Sequence, residues 1–129
     1  MGVRESIYKR NTTHEGLLAL IGTRCYPQLL PDNAKLPCVV YNLIGTPPNN
    51  YGDHDASPPD PWTTRIQMDA YATTSDGVHA VGEQLFNAWE GYHSGTAVGW
   101  AWVKNQIDSY DLGLNLYRQM TEVVIDYKR

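Results

Sequence analysis

Two hydrophobic periods alternate along this chain. Leu17, Leu18, Leu20 and Ile21 recur at helical spacing behind Thr12-Thr13-His14-Glu15. That tetrapeptide has the form of a capping box, in which Thr12 accepts from a backbone N–H and Glu15 reaches back. A helix is expected over about residues 13–21, with Gly22 as its stop. The stretch 3–10 ahead of it is amphipathic, with Ile7 and Tyr8 as its large apolar groups, so the front predicts a broken helix or a helical hairpin. Residues 38–44, Cys-Val-Val-Tyr-Asn-Leu-Ile, are rich in β-branched types and bounded by Pro37 and Gly45, which reads as a strand. From Trp62 to Ala72 the period is two: Ile66, Met68, Ala70 and Ala72 point one way, Arg65, Gln67, Asp69 and Tyr71 the other. One buried and one wet face are expected.

Thr74 or Ser75 then caps a second helix that runs to about Glu90, with Val78, Val81, Leu85, Phe86 and Trp89 as its apolar stripe. Gly91 closes it. Trp100 and Trp102 share one face of the next strand, which extends to about Tyr110. Gly113 turns the chain and 117–127 return as the last strand. This order predicts an α+β fold: a mostly antiparallel four-stranded (or slightly larger) sheet with two main helices packed on one face. The whole of residues 1–129 forms one domain of ordinary size.

Composition narrows the function classes. At 42% hydrophobic and 19% charged residues the chain can bury a core without disulfides or metal. It has no apolar run near the roughly 20 residues that span a bilayer, so no membrane partner is expected. Met1-Gly2-Val3-Arg4-Glu5 lacks the apolar centre of a signal peptide, so the chain is expected to stay in the cytosol where it is made. Cys25 and Cys38 are then expected as reduced thiols. Net charge is −4, concentrated in the middle: seven acids and one base, Arg65, lie from Asp53 to Glu90. No basic stripe with interleaved aromatics exists, which argues against tight nucleic-acid binding.

Candidate chemistry is sparse. Residues 49–61 carry three prolines, Gly52, Asp53, His54, Asp55 and Asp60, and read as an exposed loop. These side chains could hold a divalent metal or do acid–base work, but their spacing matches no metal motif. His79 and His93 form no His-x-x-x-His pair. Neither a Gly-x-Ser-x-Gly nor a phosphate-cradling loop nor a Cys-x-x-Cys is present, so no catalytic, cofactor or metal residues are assigned. Trp89, Trp100 and Trp102 are expected in the core or a subunit interface, and the nine tyrosines suit protein–protein contact.

Four segments in this order carry a resemblance: Gly22-Thr23-Arg24-Cys25-Tyr26-Pro27; Leu36-Pro37-Cys38-Val39-Val40-Tyr41; Arg65-Ile66-Gln67-Met68-Asp69-Ala70-Tyr71-Ala72; and Leu114-Asn115-Leu116-Tyr117-Arg118 before a terminal strand. Together with the helix after Thr74-Ser75-Asp76 they resemble the tail completion (tail terminator, head–tail joining) proteins of long-tailed bacteriophages. The resemblance implies a structural virion protein at the head–tail joint. It would form a homo-oligomeric ring, commonly a hexamer, that caps the tail tube and joins it to the head connector or stopper protein. DNA would pass through without specific binding. On this reading Tyr51, Asp53, His54, Asp55 and Trp62 are the candidate subunit or partner interface, and Asp53, Asp55 and Asp60 a candidate acidic lumen. The 49–61 loop is richer in Pro and Asp than the family leads one to expect. The competing readings are a small metal-dependent hydrolase on Asp53, His54, Asp55 and Asp60, or a stand-alone ligand-binding α+β domain.

Overall fold

The computed structural model describes residues 3–45, 62–94 and 98–127. Its elements run α1 (Val3–Thr13), α2 (Glu15–Ile21), β1 (Cys25–Pro27), β2 (Cys38–Gly45), β3 (Trp62–Ala72), α3 (Ser75–Trp89), β4 (Val98–Asp111) and β5 (Leu116–Tyr127). The α+β expectation holds. Its details change: the sheet has five strands, in the order β1-β2-β3-β5-β4, and three helices accompany it. The extra strand is β1, which lies parallel to β2 with Cys25 opposite Val39, while every other pairing is antiparallel. The sheet is therefore mixed. Three residues ending in a proline show no alternation, so no period could reveal β1.

The front of the chain breaks two residues later than the capping-box reading places it, with the cap at His14 rather than Thr12. The Thr12 and Thr13 hydroxyls donate back to the Tyr8 and Lys9 carbonyls (2.7 and 2.6 Å), so both threonines finish α1. His14 caps α2 instead: its Nδ1 accepts from the Leu17 N–H at 3.3 Å. A ring nitrogen can accept only while it is unprotonated. Burial first, then the Arg10 charge, lowers the His14 pKa. The folded state thus binds fewer protons than the unfolded state just below the ordinary histidine pKa, and stability falls as pH drops through that region. We expect melting temperature to decline between about pH 7 and pH 5.5, and His14→Asn, a cap that does not titrate, to flatten that decline. An unchanged pH profile in the variant would show that His14 is not its source.

The helices cover one face of the sheet. Ile7, Leu17 and Ile21 from α1 and α2, and Val78, Val81, Leu85 and Trp89 from α3, meet Val39, Ile66, Met68, Val123 and Ile125 from the strands. Asn11, fully buried, ties these layers together. Its Oδ1 accepts from Trp89 Nε1 at 2.8 Å, and its Nδ2 lies 3.6 Å from both Cys25 Sγ and Met68 Sδ, which are weak acceptors. Arg10 fastens α1 to the end of α3. Its Nε and Nη2 donate to the Ala88 carbonyl (2.9 and 2.7 Å), and its guanidinium lies 3.9 Å from the centre of the Tyr92 ring. A cation at those last carbonyls also complements the helix dipole.

Thr74 is the cap of α3, its hydroxyl accepting from the Gly77 N–H at 3.0 Å. Phe86, read as part of the apolar stripe, sits at the rim and is exposed. Near the middle of the helix Gly82 lets β5 approach closely. A Cβ there would land on Gln119 Oε1, while Gln106 Nε2 donates to the Gly82 carbonyl at 2.9 Å. Gln119 is buried, and its Nε2 donates to Asp108 at 2.8 Å. Gly82→Val should therefore displace Gln119 and cost roughly 1–2 kcal/mol, read from denaturant unfolding. Gly82→Val with unchanged stability would mean that α3 can ride up off β5.

Candidate functional site

The second face of the sheet is the one the helices leave open. Along β3 and β5 it carries a polar ladder. Arg65 Nε and Nη2 donate to Glu122 Oε2 at 2.8 and 2.6 Å. Arg118 Nη2 donates to Asp69 Oδ1 at 3.0 Å, and Gln67 Nε2 lies 3.0 Å from Asp69 Oδ2. This face is less wet than the alternation implies, because Asp69 and Tyr71 are buried. The 28–37 connection helps: Leu30 and Leu36 pack with Tyr26 on Cys38, Val40 and Tyr71. Toward β4 the same face presents Trp100 and Trp102, 56% and 42% exposed. Trp89 is in the core as expected, and this tryptophan pair is on the surface.

Strand β4 is a sheet edge, and only part of that edge is free. The segment after α3 folds back along it. The Val103 N–H donates to Glu90 Oε1 (3.0 Å), the Gly91 N–H to the Ala101 carbonyl (2.9 Å), the Ala101 N–H to the Tyr92 carbonyl (2.8 Å) and the Ser94 N–H to the Val98 carbonyl (2.9 Å). A bulge follows at Lys104, between Val103 and Asn105. Bulges and lysines are common devices against unwanted edge pairing. Beyond it, from Asn105 to Asp111, no other strand lies alongside among the described residues. This free half, the turn and the start of β5 hold Ile107, Tyr110, Leu112, Leu114 and Tyr117, all exposed. Five of the twelve exposed large apolar residues described thus fall within one short run, which sets it apart from scattered surface hydrophobes.

Polar groups shape this hairpin. Asp111 Oδ1 accepts from the Leu114 N–H at 3.0 Å and Asn115 takes a positive φ of 56°, which together close the turn. Asp108 Oδ2 lies 3.0 Å from His79 Nε2 on α3. That contact, with the Gln119 amide, holds the Asp108 carboxyl below the usual range. Tyr110 and Tyr117 pack edge to face, with centroids 5.0 Å apart. Ser75, Val78, His79, Asp108, Tyr110 and Tyr117 line one pocket between α3 and this hairpin.

The sequence-derived site residues Tyr51, Asp53, His54, Asp55 and Asp60 lie outside the described residues, and so does the loop that carries them. Trp62 opens β3, its backbone in register with Tyr127. His79 pairs with Asp108, and His93 lies 5.0 Å from the Trp100 ring. No cluster of three metal-capable side chains occurs among the described residues, and no described helix is long and apolar enough to cross a membrane. The free hairpin half was not singled out from sequence as a site. Its one signal is the density of apolar residues around Gly113, where a turn between strands is ordinarily polar.

A family model described as tail completion protein gp17 matches residues 5–111, from α1 to the end of β4. Among solved structures the chain is similar to one from the virion of a native gene transfer agent particle. The TM-score is 0.73 and the identity 13%, with 98% of this chain and 95% of that chain covered. That likeness is one of fold. No curated protein sequence matches.

Proposed function

Because the chain belongs to the tail completion protein gp17 family, and is therefore a structural tail component of a bacteriophage-type virion rather than an enzyme, we propose that it closes the tail at the head–tail joint as a ring of like subunits. The family match over most of the chain carries this reading. The fold shared with a chain from a gene transfer agent virion is consistent with it. A ring of about six subunits would cap the tail tube on one side and receive the head connector on the other. Asp53, Asp55 and Asp60 are proposed to face the channel, where like charge keeps DNA from being gripped in transit. Tyr51, His54 and Trp62 would then lie toward the neighbouring subunit or the connector.

The test is assembly without this chain. Particles made in its absence should accumulate as separate heads and tails, seen by negative-stain microscopy, and adding the purified chain should restore joining. Joined, DNA-delivering particles in its absence would overturn the reading.

A further inference from the structure

We propose that the free half of β4 and its turn, from Ile107 to Leu114, dock into the cleft between α1 and β2 of a second copy of this chain. The inference rests on the ring reading and names its subunit contact. Three observations carry it. First, the two surfaces lie toward opposite margins of the sheet: β4 is one edge strand, and β2 lies at the other margin beside the short β1. A contact between two different surfaces repeats in one sense from copy to copy, which is what closes a ring; a hairpin meeting its own like would stop at a dimer.

Second, the surfaces match in kind. The hairpin tip offers Leu112, 81% exposed, and Leu114, with Ile107 on one face of β4 behind it and Tyr110 on the other. Opposite, a cleft of about 430 Å³ is lined by Tyr8 and Tyr41 together with Arg4, Glu5 and Lys9. Leucines entering a cleft walled by tyrosine rings make the apolar centre, and charged groups make the rim, as in specific interfaces generally.

Third, the charges are complementary. Residues 105–116 carry Asp108 and Asp111 and no base, a net of −2, whereas the cleft has Arg4 and Lys9 against Glu5, a net of +1. The His79 and Gln119 contacts keep Asp108 ionised. Such complementarity fixes partner and register more than it adds affinity. The remaining edge of β4 cannot serve instead, since the 90–94 segment occupies it.

Light scattering and sedimentation over a concentration series test this. Leu112→Asp, at an exposed site, should leave the melting temperature unchanged and raise the concentration needed for self-association at least about tenfold. Arg4→Glu with Lys9→Glu should do the same; Asp108→Lys with Ser109→Lys should weaken self-association as much, with a lower melting temperature because Asp108 accepts from Gln119 and faces His79. Mixing these last two variants should restore assembly, because each then finds the opposite charge on the other. Variants that assemble like the wild type, a wild type that stops at a dimer, or a wild type that stays monomeric at about millimolar concentration would each overturn the contact. The joint role is judged separately: a chain that restores joining of heads and tails while Leu112→Asp assembles normally loses this contact and keeps that role.

Discussion

Trp89→Ala is expected to remove about 4 kcal/mol of folding stability, as deletion of a fully buried aromatic side chain does. The whole stability of a domain this size is of the order of 5–15 kcal/mol, so the variant should sit close to its unfolding threshold. The melting temperature should fall by roughly 15 °C. Three losses combine. The indole is one of the largest fully buried side chains, and its removal leaves a cavity where α3 meets the core. Its edge contact with Tyr92, at 5.6 Å between centroids, disappears. Asn11 Oδ1, buried between α1 and the sheet, loses the N–H that satisfies it. Trp89→Phe separates these effects, since it restores most of the volume and none of the hydrogen bond. A Trp89→Ala protein that melts within a few degrees of the wild type would show that this corner of the core can collapse inward.

Arg118→Met should cost about 3 kcal/mol. The partners differ in exposure: the Asp69 side chain is 5% accessible, whereas Arg118 is 31% accessible. Removing the arginine strands a carboxylate that water can scarcely reach, with only the Gln67 amide left to it. The informative control is Asp69→Leu combined with Arg118→Met. An apolar pair in place of a buried ion pair is often neutral, so the double variant should recover most of the loss. If it recovers nothing, packing of the arginine stem over the sheet, not charge, is what the single variant removed. Equilibrium unfolding in urea gives both numbers.

The sequence revealed elements wherever one period persisted. The alternation of Ile66, Met68, Ala70 and Ala72 placed β3 at its observed bounds, and the stripe from Val78 to Trp89 placed α3. Both signals come from residues that face one core. It failed where a few residues decide. Cys25–Pro27 becomes a strand because β2 offers it a parallel register, a long-range partner that no local pattern encodes. Asn11 gave no hint of its place, since a polar residue between helices ordinarily reads as surface. The 28–37 connection covering Cys38 and Tyr71 explains why a face expected to be wet is partly dry. The candidate surface on the hairpin was legible only in outline. Leu112, Leu114 and Tyr117 would read the same in sequence whether covered by a helix or left to a partner, and only the position of α3 distinguishes the two.

The two cysteines give the molecule a practical property. Cys25 and Cys38 are buried on opposite faces of adjacent strands, unable to reach each other, and burial pushes both thiols up to about 11. At neutral pH neither supplies an appreciable thiolate, which is the species that reacts with maleimides and other alkylating dyes. The native chain is thus a silent background for fluorescent labelling. A single cysteine introduced at an exposed position outside the proposed contact, such as Leu29, would be the one rapidly reacting thiol. Energy transfer between dyes placed there could then follow each subunit as it joins its neighbours, with no native residue needing to be removed first.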